Sequence, residues 1–211
     1  MQVIHSDALD AHRQRRDAYE QARELGDCHV AMGNWDEARR CYQQAAVLAP
    51  QQPEPHVGLG AVAMQLGRDD EALRAFHAAR RLDGQCLPAH AGAAMIYQQQ
   101  SRHPQAFEMY LRCLELDPDD LNALLGLFQA SCQMGTFAKI IHYLELYLRK
   151  HPDDPAVLFC LASLYARENL NIQAKEALLT VLACDPDTPQ AHELLADIED
   201  RLLHERTQEV A

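Results

Sequence analysis

The sequence has few aromatic residues and no long apolar run. Only 6% of its 211 residues are Phe, Trp or Tyr, and the commonest apolar residues are Ala and Leu, which favour helices over strands. No stretch of roughly 18 residues is as consistently apolar as a membrane-spanning helix, and the N-terminus lacks the apolar core of a signal peptide. The composition therefore predicts a soluble, all-α protein, which we expect to be cytoplasmic.

Basic residues are also scarce. The 31 Asp and Glu residues outnumber 19 Lys and Arg residues, which gives a net charge of −12. Because an acidic surface repels phosphate groups, neither nucleic acid nor an anionic membrane surface is an expected partner. We expect no membrane insertion.

Patterns that would indicate disulfides, metal binding or catalysis are missing. The cysteines are odd in number, include no CxxC pair and are scattered through predicted helices, as reduced structural thiols are. The 11 histidines include no HExxH element and no pair four residues apart, so no metal site is predicted. Spacing assigns no Cys/His or Ser/His/Asp arrangement, so we predict no catalytic residue, no cofactor and no enzymatic activity.

What the sequence does contain is an internal repeat of 34 residues. Pro50, Pro118, Pro152 and Pro186 are separated by multiples of this length, and Gly84 fills the remaining slot. Such a period is typical of helical repeat proteins. Counting from these residues predicts an N-terminal helical extension at 1–18 and a C-terminal capping helix with a tail at 189–211. Between them we predict five repeats, at 19–52, 53–86, 87–120, 121–154 and 155–188.

Each repeat has the same residue types at the same places. Two stretches of about 13 residues with helical apolar spacing predict a helical hairpin in each repeat. The twentieth position is small except in the fourth repeat, the twenty-fourth is large, and the predicted turns carry Gly, Ser or Asn. In repeat order, the residues at position twenty are Ala38, Ala72, Ala106, Ile140 and Ala174. Those at position twenty-four are Tyr42, Phe76, Tyr110, Leu144 and Leu178. The predicted turn residues are Gly33, Gly67, Ser101, Gly135 and Asn169.

This pattern resembles the tetratricopeptide repeat, whose motif has Leu-Gly at positions seven and eight, Ala at twenty, an aromatic residue at twenty-four and Pro at thirty-two. The resemblance covers residues 19–188 and implies an all-α, right-handed solenoid of helix-turn-helix repeats closed by a capping helix. It also implies a non-enzymatic protein-protein interaction scaffold that holds a partner segment in a concave groove. His56, His90 and His192 stand at the fourth position, where the motif has Trp, and we expect them to be structural, either packed between helices or half-buried at the surface.

The family architecture further implies which residues line the concave groove. They come from the first helix of each hairpin and form a neutral surface of amides, Met and other apolar side chains. An acidic face of Glu20, Glu24 and Asp27 lies beside them, so we expect a peptide with an apolar centre and a basic flank across repeats two to five. The groove residues are Val57, Ala61, Met64, Gln65, Met95, Gln98, Gln99, Leu125, Gln129, Cys132, Gln133 and Phe159.

Glycine recurs at the sixth position of the middle repeats, as Gly58, Gly92 and Gly126. Each costs a helix about 1 kcal/mol relative to Ala, so something must require the space. Two explanations remain open. A ligand backbone approaches these residues, or neighbouring helices pack closely there.

A second candidate surface lies on the convex side. Met109, Tyr143 and Leu146 are expected to be exposed there and to support weak self-association. Two other functions stay open: a ligand-responsive regulator that binds a small signal or short peptide, and the targeting domain of a larger enzyme.

Overall fold

The computed structural model describes the backbone of residues 2–209 and the side chains of residues 12–205 and 207. Over this part of the chain it contains eleven α-helices and no strand, which confirms the all-α prediction. The helices are α1 (Gln2–Ala31), α2 (Trp35–Leu48), α3 (Glu54–Gln65), α4 (Asp69–Leu82), α5 (Leu87–Gln99), α6 (His103–Leu116), α7 (Leu121–Met134), α8 (Ala138–Leu148), α9 (Pro155–Arg167), α10 (Asn171–Cys184) and α11 (Pro189–Glu209).

Consecutive helices pack as hairpins, from α1 with α2 to α9 with α10. Each hairpin turns at a residue in the left-handed region, as the sequence predicted. The φ angles are +74° at Gly33, +66° at Gly67 and Gly135, 56° at Ser101 and 59° at Asn169. The amide that follows reaches back five residues and satisfies a carbonyl near the end of the first helix, as Arg68 does with Ala63 at 2.9 Å.

The chain divides into two compact units. The N-terminal unit, Met1–Leu116, contains α1 to α6, and the C-terminal unit, Asp117–Ala211, contains α7 to α11. In both units the first helix of a hairpin also packs on the preceding hairpin, so that a stack forms.

The repeated positions form the core of this stack. All five side chains at position twenty have no exposed surface, and those at position twenty-four are at most 6% exposed. A small residue at twenty lets the two helices of a hairpin approach, and a large one at twenty-four fills the space beside it.

The N-terminal extension is continuous with the first repeat. Helix α1 runs through residues 18 and 19 without a break. Arg15 of the extension donates from Nε to the carbonyl of Leu48 at 2.7 Å. Because a cation at the C-terminus of a helix satisfies its free carbonyls, this contact both ends α2 and holds α1 against it.

At the other end, α11 packs against α10 and α9 as a capping helix. Ala191 and Ile198 are fully buried, and Leu194, Leu195 and Leu202 are half-buried against the same core. Arg201 donates to the carbonyl of Ala166 at 3.2 Å and so satisfies the end of α9. No helix among the described residues is long and apolar enough to span a membrane.

Candidate functional site

Seven of the predicted groove residues lie in the N-terminal unit, on the neighbouring helices α3 and α5. Met95 is 47% exposed, and Ala61, Gln65 and Gln99 are also exposed. The other three, Val57, Met64 and Gln98, are half-buried. Gln98 is already engaged, because its side-chain carbonyl accepts a hydrogen bond from the hydroxyl of Tyr110. The structure therefore brings these residues onto two adjacent helices and leaves four of them accessible.

The other five predicted groove residues lie in the C-terminal unit, on α7 and α9. Gln129 and Gln133 are exposed, while Leu125, Cys132 and Phe159 are half-buried. Phe159 packs against the core formed by α9, α10 and α11, so part of its surface is occupied by the protein itself. Burial raises the pKa of Cys132, and it raises that of Cys160 to about 11. Both thiols are therefore protonated at neutral pH, which disfavours a nucleophilic role.

The predicted acidic face of α1 is partly neutralised within the helix. Arg23 donates from Nη1 to Oδ2 of Asp27 at 2.9 Å, and the hydroxyl of Tyr42 donates to Oδ1 at 2.7 Å. Glu20 is paired with Arg16 at 2.9 Å. Such exposed ion pairs contribute little, about 0 to 1 kcal/mol each, so a cationic ligand can exchange with them.

A cavity of about 570 Å³ lies beside this cluster in the N-terminal unit. Its lining joins Arg23 and Asp27 to the groove residues Val57 and Ala61, and adds Glu54 and Asp83. With three carboxylates and one guanidinium, the cavity favours a cation. Glu54 and Asp83 were not among the predicted site residues, although Glu54 stands at the second position of its repeat, as the predicted Glu20 does.

Two of the three glycines at the sixth position, Gly58 and Gly92, are explained by packing. A Cβ atom on Gly58 would lie 2.6 Å from Cε1 and Cζ of Tyr42, and one on Gly92 would overlap the Phe76 ring. A Cβ on Gly26 would also lie 2.7 Å from the Tyr42 ring, and one on Gly60 2.6 Å from the Phe76 ring. Each ring thus packs closely against glycines on two different helices. For Gly58 and Gly92 the ligand explanation is not required.

The three histidines at position four differ in burial. His90 is 2% exposed, His56 is half-buried, and His192 is exposed, so the expectation of a packed or half-buried side chain is wrong for His192. His192 lies on α11, and among the described residues no later hairpin covers this helix. His90 and His192 nevertheless make the same contact: Nε2 lies 3.0 Å from the carbonyl of Gly84 and 2.8 Å from that of Pro186. Each histidine thus links its helix to the loop that precedes it.

Acidification is expected to destabilise the N-terminal unit through His90. The bond to Gly84 assigns the proton to Nε2, and Nδ1 is buried without a partner. Burial lowers the pKa of His90 below its ordinary 6.5, so the unfolded chain takes up a proton before the folded chain does. The free energy of unfolding should therefore fall as the pH drops below about 6.5. Urea unfolding between pH 7.5 and 5 measures this.

The matched variants are His90→Gln and His192→Gln. A glutamine amide can still donate to the Gly84 carbonyl but does not titrate, so His90→Gln should reduce the pH dependence without removing it, because burial also lowers the pKa of His56 and of His77. His192→Gln removes the equivalent ring from an exposed site and should leave the slope as it was. Equal slopes in all three proteins would show that His90 does not carry the effect.

The predicted convex patch is wrong at Met109, which is only 5% exposed. The buried residues of α6 are Ala106, Met109, Tyr110, Cys113 and Leu114. Met109 lies three residues after Ala106 and four before Cys113, so it belongs to the same buried stripe. Tyr143 and Leu146 are half-buried, and the Tyr143 ring lies edge-on to His142 at 5.5 Å.

None of the seven cysteines forms a disulfide in the structure. Among the described residues, no group of three or more His, Cys, Asp or Glu side chains is arranged to hold a metal ion. The candidate surface is therefore described by its apolar and acidic side chains alone.

Comparison with protein families agrees with the repeat. A family model described as "Tetratricopeptide repeat" matches residues 23–85 and 59–121, and a second model with the same description matches residues 133–198. Together these matches cover well over half of the chain. A search of curated proteins gives no significant match.

Several solved structures share the fold over most of the chain. PilF of Pseudomonas aeruginosa is 21% identical, with 89% of this chain and 87% of that protein covered and a TM-score of 0.65. MamA from Desulfovibrio magneticus RS-1 is 18% identical, with coverages of 82% and 98% and a TM-score of 0.64. YrrB, described as a TPR protein with an unusual peptide-binding site, is 16% identical, with coverages of 85% and 90% and a TM-score of 0.66. At these identities the similarity establishes the fold alone.

Proposed function

The chain belongs to the tetratricopeptide repeat family, and on that premise we propose that it is a scaffold that binds a peptide segment of a partner protein on α3 and α5. Proteins of this family generally act as non-enzymatic scaffolds for protein or peptide partners. The printed description of YrrB, a protein of the same fold, names a peptide-binding site. We assign the chain no reaction of its own.

The observation that carries this proposal is an exposed apolar side chain on the same unit as an acidic cavity. Met95 is 47% exposed on α5, and Met64 and Val57 are partly accessible on α3. Met side chains adapt to apolar groups of different shape. Asp27, Glu54 and Asp83 line the cavity at the α1 side of the same unit.

The ligand that suits this surface is a peptide with an apolar centre and Lys or Arg at one end. Burial of apolar area contributes about 25 cal/mol per Å², but ordering a free peptide opposes binding, so a short segment should bind with roughly micromolar affinity. The basic end should lie towards Glu54 and Asp27, and the apolar centre on Met95.

A titration with two synthetic peptides tests the proposal. Both carry the same Leu-rich centre, and the flank is Lys-rich in one and Glu-rich in the other. The Lys peptide should bind at least tenfold more tightly in dilute buffer, and the difference should shrink in 0.5 M salt because free charges are screened. Isothermal titration calorimetry measures both affinities.

The matched variants are Glu54→Gln and Glu37→Gln, which each neutralise a carboxylate in the first turn of a helix. Glu54→Gln should weaken the Lys peptide severalfold, whereas Glu37→Gln, on α2 and outside the cavity, should not. If neither peptide binds, or if both variants behave alike, the surface assignment is incorrect.

A further inference from the structure

The C-terminal unit ends in an apolar groove that the proposed function does not use. Ile172 is 64% exposed, Leu179 49% and Leu203 60%. With Leu202 they line a groove of about 680 Å³ between α10 and α11. Large apolar side chains are usually exposed singly, so three of them around one groove indicate a contact surface.

The groove has the form that receives a helix. On α10 its lining residues are 172, 175, 176 and 179, and on α11 they include 199, 202 and 203. Each set follows one helical stripe, and two parallel stripes leave a channel into which the ridge of a third helix fits.

Polar contacts fix both walls of the groove. Lys175 of α10 pairs with Glu199 of α11 at 2.6 Å. Asn171 is 4% exposed, and its amide donates to Glu205 of α11 at 2.7 Å. Because the two helices are already joined, a ligand would not have to order them.

The charge around the groove selects the chemistry of its occupant. Three carboxylates, Glu176, Glu199 and Glu205, line it with one cation, Lys175, and that cation is paired with Glu199. The chain as a whole carries a net charge of −12, so a second copy would be repelled. A helix that carries Lys or Arg beside its apolar stripe complements this rim.

We propose that the groove between α10 and α11 docks an amphipathic, basic helix of a partner protein. Its aliphatic side chains pack on Ile172, Leu179 and Leu203, and its Lys or Arg residues lie beside Glu176. This site is separate from the surface on α3 and α5 and does not depend on it.

The test uses the full chain and two labelled helical peptides with the same Leu stripe, one with Lys and one with Glu on the polar face. Fluorescence anisotropy should show at least tenfold tighter binding of the Lys peptide. Leu179→Glu and Leu203→Glu should each weaken it at least tenfold, because a bound helix would bury the new carboxylate. Met32→Glu, at an apolar side chain that is 62% exposed in the N-terminal unit, should leave it unchanged.

Reversing one rim charge provides the specific control. Glu176→Lys should weaken the Lys peptide and strengthen the Glu peptide, whereas a purely apolar contact would respond to neither. Binding of the Lys peptide that survives both Leu179→Glu and Leu203→Glu would overturn the proposal, as would the absence of binding. Sedimentation velocity tests whether a second copy of the chain occupies the groove instead. If the unliganded chain self-associates and Leu179→Glu abolishes the self-association, a second copy fills the groove.

Discussion

Gly92→Leu is expected to destabilise the N-terminal unit by about 3 kcal/mol. The first added carbon would overlap the Phe76 ring, which is 2% exposed and also lies close to Gly60 of α3. A buried ring packed against two helices has little free space to move into. Leucine improves the helix propensity of α5 by about 1 kcal/mol relative to glycine, which is too little to offset the overlap. Urea denaturation followed by far-UV circular dichroism measures the change.

Gly84→Leu is the matched control, because a Cβ atom there meets nothing within 4 Å. It should change the free energy of unfolding by less than about 0.5 kcal/mol, as surface substitutions usually do. A Gly92→Leu protein as stable as the parent would show that the Phe76 ring can shift, and it would reopen the ligand explanation for this glycine.

A double-mutant cycle separates this packing from other effects of the substitution. Leu144 and Leu178 replace the aromatic residue at position twenty-four in the last two repeats, and the sixth position that follows is then Cys160 or Leu194. Phe76→Leu should therefore recover part of the stability lost in Gly92→Ala, with a coupling energy of at least about 0.5 kcal/mol. Additive effects would mean that the two residues do not compete for one space.

Most of the fold could be predicted because each position of the repeat occurs five times in the sequence. The turns at Gly33, Gly67 and Ser101 and the buried positions twenty and twenty-four are set by local rules of helix termination and spacing. Such rules act within one hairpin, so the sequence is sufficient for them.

Contacts between hairpins were harder to predict. Tyr42 and Gly58, and Phe76 and Gly92, are each 16 residues apart, and this recurring interval was the available signal. The interval alone does not tell whether the glycine makes room for the aromatic ring or for a ligand. Only the packed structure distinguishes these two explanations.

Only part of the candidate site could be predicted, because the sequence pattern assigns positions within a hairpin but not contacts between hairpins. Helical position placed Met95 and Gln99 on the first helix of their hairpin, where they are exposed. The cavity in the same unit joins residues of α1, α3 and the loop before α5, including Asp83. Loop residues have no fixed place in a helical period, so Asp83 could not be assigned to a surface from spacing.

Met95→Glu is expected to reduce the affinity of the Lys-flanked, Leu-centred peptide at least 100-fold. A carboxylate in the centre of the surface would lose its water when the apolar part of the peptide covers it, and burial of an uncompensated charge costs several kcal/mol. The side chain is 47% exposed in the free protein, so the thermal midpoint should change by no more than about 2 °C. Calorimetric titration and a thermal scan measure the two effects.

Two controls assign the loss to position and charge. Met95→Leu keeps an apolar side chain of similar volume and should bind within about threefold of the parent protein. Val47→Glu introduces the same charge at an apolar residue of α2 that is 74% exposed in the same unit, and it should leave binding intact. If Val47→Glu abolished binding and Met95→Glu did not, the partner would lie on the second helices of the hairpins, and the assignment to α3 and α5 would be wrong.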